Sequence, residues 1–150
     1  MRKIAITIVI LFLGAISASA QLYRYLDTKQ GLSSRRVIAV EKDQQGYMWF
    51  LTQEGVDRYN GKQFTNYILS DGNRPVLHFP NLSQLHIDNQ DDIWVTGKNG
   101  FIFKYNPMLD KYDLVMNFAD SLNTKRRLPL THTSIDRQNN LWLCTRNAQY

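Results

Sequence analysis

The sequence repeats one short motif three times. Its three tryptophans, Trp49, Trp94 and Trp142, are 45 and 48 residues apart. Each ends a motif of the form Asp-x-Gln-[Gly/Asp/Asn]-x-apolar-Trp, at residues 43–49, 88–94 and 136–142. Recurrence at a period of about 45 residues is typical of arrays in which one supersecondary unit stacks on copies of itself. The chain is therefore predicted to contain tandem copies of one unit.

The fourth position of the motif indicates a hairpin turn. It holds Gly46, Asp91 and Asn139, which belong to the residue types that best tolerate a positive φ angle. A three-residue hairpin loop with a bulge needs such a residue at its last position. We therefore predict the same turn in all three repeats.

Short apolar runs flank each of these turns. They are only four or five residues long and rich in β-branched and aromatic side chains, which favours strands over helices. In the first two repeats two further turns follow, so each repeat has room for four antiparallel strands. Consecutive apolar residues in a strand indicate that both faces of its sheet are covered. The predicted strands that contain the motif's tryptophan lie at 47–51, 93–95 and 141–144. The predicted fourth strands lie at 64–68 and 112–116.

These units predict an all-β fold, a β-propeller built from four-stranded antiparallel blades. The units cover residues 22–68, 69–116 and 117–150, and the last of them is truncated. Because a closed ring needs at least about four blades, we expect about three blades of a larger, incomplete ring. Residues 22–26 are predicted to be an outer strand that completes a blade elsewhere in the ring.

The first 20 residues have the pattern of a signal peptide. Arg2 and Lys3 precede an apolar run at 4–13, and the small residues Ala18-Ser19-Ala20 suit cleavage before Gln21. The apolar run is short for a helix that spans a bilayer. We therefore expect export to the periplasm, with an uncleaved anchor in the inner membrane as the alternative.

Composition excludes several classes of site. With Arg2 and Lys3 left out of the 18 lysines and arginines, 16 remain against 13 acidic residues, too small an excess for nucleic-acid binding. A single cysteine, Cys144, excludes an internal disulfide, a four-thiolate zinc site and a CxxC redox pair. Stability must therefore come from packing.

No catalytic or metal-binding constellation is recognisable in the sequence. The three histidines share no ligand spacing, so we expect hydrogen-bonded or solvated imidazoles. The acidic cluster Asp88, Asp91 and Asp92 lacks the pattern of a calcium loop and predicts a turn with exposed carboxylates. Cys144 is expected to be a small buried side chain. We expect no enzymatic activity and no cofactor in these residues.

The tryptophans invite two interpretations. They could be platforms for a sugar ring, but a residue needed once per unit more often packs one sheet against the next, so core packing is the prediction. Binding residues should instead differ between units, which directs attention to the loops at 27–36, 70–81 and 120–130. The candidate ligand-binding residues in these loops are Arg35, Arg36, Arg74, His78, Lys125, Arg126 and Arg127.

The first unit resembles a known family repeat. Its segments Gly-Leu-Ser-Ser at 31–34, Asp-Gln-Gln-Gly at 43–46 and Trp-Phe-Leu-Thr at 49–52, with Gly-Val at 55–56 and Arg-Tyr at 58–59, are similar to the two-component-regulator propeller repeat. The resemblance implies a periplasmic sensor propeller of a hybrid two-component system. It also implies that further blades and a histidine kinase follow in the complete protein.

The resemblance and the leader together favour an extracytoplasmic ligand-sensing segment, with an oligosaccharide as the expected ligand. Its partners would be the remaining blades and the kinase, with no nucleic acid and no membrane span in the mature segment. The alternatives are an exported propeller enzyme, such as a polysaccharide lyase or hydrolase, and an interaction scaffold whose site lies in other blades.

Overall fold

The computed structural model describes residues 23–70, 82–118 and 129–145, which form ten strands and one short 3-10 helix at Thr28–Gln30. Four strands follow each other in a first sheet, four in a second, and the last two form a hairpin. The strands are β1 (Val37–Lys42), β2 (Met48–Thr52), β3 (Val56–Tyr59), β4 (Phe64–Tyr67), β5 (Leu82–Ile87), β6 (Ile93–Gly97), β7 (Phe101–Asn106), β8 (Lys111–Asn117), β9 (Leu130–Ile135) and β10 (Leu141–Thr145).

Both sheets are antiparallel and keep the order of the sequence. The first sheet is β1-β2-β3-β4 and the second is β5-β6-β7-β8, so the prediction of four strands per repeat is confirmed for the first two units. β1 packs beside β5, and β5 packs beside β9. The first strands of successive units therefore lie next to one another.

The predicted hairpin turn is confirmed in all three repeats. Gly46, Asp91 and Asn139 have φ angles of 94°, 66° and 63°. In each turn the backbone N–H of this residue donates to the carbonyl of the motif's first aspartate, at 3.0 to 3.2 Å. The residue types at this position thus match the left-handed backbone that the turn requires.

The core lies between the first and second sheets. The first sheet contributes Trp49 and Leu51, and the second contributes Val95 and Phe103, each at most 1% exposed. The Trp49 ring lies 5.9 Å from that of Tyr67 in its own sheet. Side chains of this size stabilise a fold by about 1.5–3 kcal/mol each when fully buried. Core packing is thus the role of Trp49, as predicted.

The third unit is less covered. Trp142 is 61% exposed, and no residue of β10 is buried. We expected both faces of the strands at 93–95 and 141–144 to be covered. This is confirmed only in part for 93–95, because Trp94 is half-buried, and it is wrong for 141–144. The prediction that Cys144 is buried is also wrong, because within the described residues no further sheet lies against this hairpin.

The segment before the 3-10 helix forms no strand over residues 23–26, where an outer strand was predicted. Arg24 anchors it instead, since its Nη1 atom donates to the Tyr59 hydroxyl at 2.7 Å and to the Gly61 carbonyl at 2.6 Å. The predicted signal peptide at 1–20 lies outside the described residues.

Gly55, in the turn between β2 and β3, has no room for a side chain. A Cβ atom at this position would lie 2.3 Å from the Tyr67 carbonyl oxygen, and φ is 152°. At Gly46 φ is 94°, but nothing lies within 4 Å of an added Cβ. Gly46→Ala should therefore cost about 1–2 kcal/mol of backbone strain. Gly55→Ala should cost about 1–3 kcal/mol more because it also overpacks the site.

Urea unfolding of the two variants and the parent, followed by tryptophan fluorescence, measures this difference. Equal midpoints for the two variants would contradict the close contact with Tyr67.

Candidate functional site

The loops that enter each first strand meet the turns between second and third strands at one end of the sheets. In the first sheet, Gln53 N–H donates to the Arg36 carbonyl at 3.1 Å. Between the second sheet and the third unit, Leu130 N–H donates to the Lys98 carbonyl at 3.0 Å. We call this end the loop end and define it as residues 33–36, 53–55, 98–100 and 129–130.

A buried carboxylate anchors the loop that enters β1. Asp57 is 0% exposed, and its Oδ2 atom accepts from the backbone N–H of Ser33 at 2.7 Å and from the Ser33 hydroxyl at 2.8 Å. Its Oδ1 atom accepts from the Asn66 amide at 2.6 Å. A buried carboxylate needs such donors to offset its desolvation. The network fixes the position of Ser33, and so of the loop that leads into Arg35 and Arg36.

Two of the seven candidate ligand-binding residues lie in the described structure. Arg35 and Arg36 are both exposed at the loop end, immediately before β1. The other candidates lie outside the described residues; they are Arg74, His78, Lys125, Arg126 and Arg127.

The motif's aspartate and tryptophan are joined by a hydrogen bond in every repeat. The indole N–H donates to Oδ2 of Asp43 at 2.7 Å, of Asp88 at 3.0 Å and of Asp136 at 2.8 Å. The Oδ1 atom of the same side chain accepts backbone N–H groups of the turn. One carboxylate therefore fixes the turn and orients the indole. The constant six-residue separation was the signal in the sequence for this bond, which the sequence analysis did not identify.

Successive turns are bonded to one another at the opposite end, which we call the turn end, residues 43–47, 88–92 and 136–140. Gln44 N–H donates to Asp91 Oδ1 at 2.9 Å. Asn89 donates from its backbone to Asn139 Oδ1 at 3.2 Å and from its amide to the Arg137 carbonyl at 2.8 Å. The acidic cluster at 88–92 is thus a turn, as predicted.

The prediction that all three carboxylates of this cluster are exposed is wrong. Asp88 is buried at 9% exposure, and Asp91 and Asp92 are partly buried. The Trp94 indole N–H donates to Asp88, which offsets the cost of burying this carboxylate, and Asp92 pairs with Lys104 at 2.6 Å.

Arg58 lies between the first two sheets and forms what we call the Arg58 cluster with Tyr67, Tyr105 and Asp110. Its guanidinium carbon lies 5.5 and 5.7 Å from the ring centres of Tyr67 and Tyr105. Its Nη1 atom lies 3.2 Å from Asp110 Oδ1. The same oxygen accepts from the Tyr67 hydroxyl at 2.7 Å and the Tyr105 hydroxyl at 2.6 Å. These contacts join the two sheets.

The contacts in the Arg58 cluster shift the pKa values of its members. Hydrogen bonds from the hydroxyls of Tyr105 and Tyr67 lower the pKa of Asp110, and the Arg58 charge lowers it further. Burial, together with the hydrogen bond to Asp110, raises the pKa of Tyr67. The cluster therefore keeps an ionised carboxylate and neutral phenols across the ordinary pH range.

A cavity of about 220 Å³ adjoins this cluster at the turn end. Tyr47, Tyr105 and Pro107 provide apolar surface, while Arg58, Gln45 and the turn aspartates provide hydrogen-bonding groups. Apolar and aromatic surface beside a few convergent polar groups is the usual composition of a small-molecule site. The sequence analysis did not predict this cavity. A possible signal was the basic residue followed by a tyrosine that both complete units carry, at Arg58-Tyr59 and Lys104-Tyr105.

The described histidines are hydrogen-bonded. His86 Nε2 lies 2.8 Å from the Thr133 hydroxyl, and His132 Nδ1 lies 3.1 Å from the Gln84 amide nitrogen. Within residues 23–70, 82–118 and 129–145, no group of three or more His, Cys, Asp or Glu side chains could hold a metal ion.

Comparison with known proteins identifies a shared fold. The extracellular domain of the proposed hybrid two-component system BT3049 from B. thetaiotaomicron aligns with a TM-score of 0.61 and 24% identity, over 81% of this chain. Two structures of the extracellular domain of BT4673 from the same organism, one called a one-component and the other a hybrid two-component system, align with TM-scores of 0.63 and 0.62. Their identities are 19% and 18%, over 87% and 81% of this chain.

The chain spans 16 or 17% of the length of these structures. No protein-family model and no curated protein matches the sequence. Among the described residues, no helix has the length and apolar character to cross a membrane.

The Asp–indole bond should matter most where the indole is buried. Asp43→Ala leaves the N–H of Trp49, which is 1% exposed, without an acceptor, and should cost about 1–3 kcal/mol of unfolding free energy. Asp136→Ala breaks the same bond at Trp142, which is 61% exposed and can bond to water. Its effect should be clearly smaller than that of Asp43→Ala. Urea unfolding measures both, and a larger loss for Asp136→Ala would contradict the assignment.

The turn around Asp136 should persist into acid. Hydrogen bonds from Asn140 and from the Trp142 indole lower the pKa of Asp136 to about 2. A depressed carboxylate pKa means that the stabilising bonds are present above the ordinary pKa of about 4 and are lost as pH falls through about 2. In an NMR titration, the Trp142 indole N–H resonance should stay constant from pH 7 to pH 4 and shift below pH 3. A midpoint near 4 would disprove it.

Proposed function

We propose that these residues form part of a ligand-sensing β-propeller in an exported, hybrid two-component signalling protein. The observation that carries the proposal is the packing of like sheets side by side, with Trp49 of the repeated motif buried between the first two. The likeness in fold to extracellular domains of such systems supports it. The remaining blades and a histidine kinase would be the partners within the complete protein.

The exposure of the tryptophans supports a ring of blades. Trp49 is covered by Tyr105 and Tyr112 of the next sheet, whereas Trp142 is 61% exposed. The opposite end of the array also exposes apolar side chains, with Val40 at 43%. A ring in which each sheet covers the tryptophan of the one before would bury both ends. We therefore propose about three blades of a larger ring.

An oligosaccharide is the proposed ligand. The loop end offers Arg35 and Arg36 as exposed cations, and the cavity beside Arg58 offers aromatic surface with polar groups. A ligand can shift a sensor only by the difference between its affinities for the two states of that sensor. We propose that the varied loops supply this difference. No catalytic role is proposed for these residues, and nucleic acid is not among the proposed partners.

Calorimetry of the full extracellular domain against a panel of oligosaccharides tests the proposal. One sugar should bind, and an Arg35→Ala/Arg36→Ala double variant should bind it at least about tenfold more weakly. Lys62→Ala is the control, because Lys62 is an exposed cation in the turn between β3 and β4, away from the loop end. Its affinity should equal that of the parent.

Absence of heat with every sugar would contradict the saccharide ligand. Binding that the double arginine variant leaves unchanged would contradict the loop end. A Tyr47→Ala variant, which removes aromatic surface from the cavity, then decides whether the ligand lies beside Arg58.

A further inference from the structure

The cavity beside Arg58 is bounded by two complete four-stranded sheets. It has a volume of about 220 Å³ and is lined by the turn ends of the first and second sheets. Sites for drug-sized molecules have volumes of about 300–1,000 Å³. A ligand of this cavity is therefore about the size of one sugar ring or one amino acid.

Arg58 offers hydrogen-bond donors on the wall of this cavity. Its Nη1 atom donates to the Tyr105 hydroxyl and pairs with Asp110. A guanidinium has five N–H donors, and in the described parts of the chain those on Nε and Nη2 have no acceptor. The rings of Tyr47 and Tyr105 lie 5.2 and 5.7 Å from the guanidinium carbon and hold the group in place. The cavity thus has a fixed donor for an oxygen atom of a ligand.

Asp91 and Asp92, in the turn between β5 and β6, line the same cavity and are partly buried. Asp91 Oδ1 accepts from the Gln44 N–H at 2.9 Å, and Asp92 Oδ2 pairs with Lys104 at 2.6 Å. An ionised carboxylate has about four lone-pair sites. Both side chains therefore keep acceptors for a ligand.

The turn itself does not require carboxylates at these two positions. The same hairpin turn forms in all three units. The corresponding residues are Gly46 and Tyr47 in the first unit and Asn139 and Asn140 in the third. The two negative charges are thus particular to the unit that lines the cavity.

The bond between successive turns does not require a charge either. Asn139 Oδ1 accepts from the Asn89 N–H at 3.2 Å, just as Asp91 Oδ1 accepts from the Gln44 N–H. A neutral amide oxygen therefore makes the same bond one unit further along. Neither the turn nor this bond accounts for the charge of Asp91.

Carboxylates outnumber cations among the charged groups that line the cavity or pair with a residue that lines it. The four carboxylates belong to Asp43, Asp91, Asp92 and Asp110, and the two cations are Arg58 and Lys104. Because opposite charges attract more strongly in a partly buried site than in water, this excess favours a ligand with a positive charge.

We propose that this cavity binds a small primary amine that has an oxygen acceptor close to its amino group. The ammonium group lies at Asp91 and Asp92, where its three donors meet carboxylate oxygens. The oxygen acceptor lies at Arg58, and Ile93 and Pro107 contact the carbon skeleton. Amino sugars and amino acids share this chemistry, and the experiment below separates them.

The site does not depend on the oligosaccharide proposed for the loop end. Arg35 and Arg36 lie at the other end of the sheets, and the two sites are measured with different ligands. Failure of one proposal therefore leaves the result for the other unchanged.

Calorimetry of the full extracellular domain with two matched pairs of compounds tests the proposal. D-glucosamine is compared with D-glucose and L-serine with L-glycerate, so that within each pair only a hydroxyl replaces the amine. One of the two amines should bind, and its hydroxyl counterpart should bind at least about tenfold more weakly, because a charge-assisted hydrogen bond is lost. The amine that binds identifies the ligand as an amino sugar or an amino acid. Equal affinity within each pair, or no binding of either amine, overturns the proposal.

Asp91→Asn places the ligand in the cavity. This variant should fold, because Asn139 makes the equivalent bond in the third unit, and it should bind the amine about tenfold more weakly. Glu41→Gln is the matched control, since it removes an exposed carboxylate of β1 that does not line the cavity. Its affinity should equal that of the parent. Unchanged affinity in Asp91→Asn, or an equal loss in Glu41→Gln, overturns the placement.

Discussion

The burial of Trp49 between two sheets is the contact on which the rest of the described structure depends. Its indole N–H is bonded to Asp43, and its ring lies against Tyr105 and Tyr112 of the second sheet. A small sheet with apolar side chains on both faces is not stable alone in water, so each sheet needs the next to cover it. Stability in such an array is approximately a sum of unit and junction contributions.

The two junctions between successive units differ in chemistry. The first combines an apolar core with the Arg58 cluster, in which Asp110 accepts from two tyrosine hydroxyls. The second is a hydrogen-bonded set centred on Thr133. Apolar burial is insensitive to orientation and protonation, whereas hydrogen bonds require specific donors and acceptors. The two junctions are therefore held together by different kinds of interaction, one mainly apolar and one mainly hydrogen-bonded.

The two ends of the sheets also divide their roles. At the turn end, short turns are bonded from one unit to the next, as by Gln44 to Asp91. At the loop end, Asp57 anchors the incoming loop while Arg35 and Arg36 stay exposed. A rigid base beneath variable loops is the arrangement by which a repeated scaffold presents binding residues. This division is consistent with the proposal that the loop end carries the binding residues.

The sequence by itself determined the repeat, the four strands of each complete unit and the left-handed turn residues such as Asn139. These features depend on residues close together in the chain, where periodicity and turn chemistry act directly. Only the tertiary structure decided that Trp49 is buried while Trp142 is exposed, and that Asp110 meets Arg58. Such contacts join residues from different units, and they depend on how one sheet lies on the next, which no local pattern encodes.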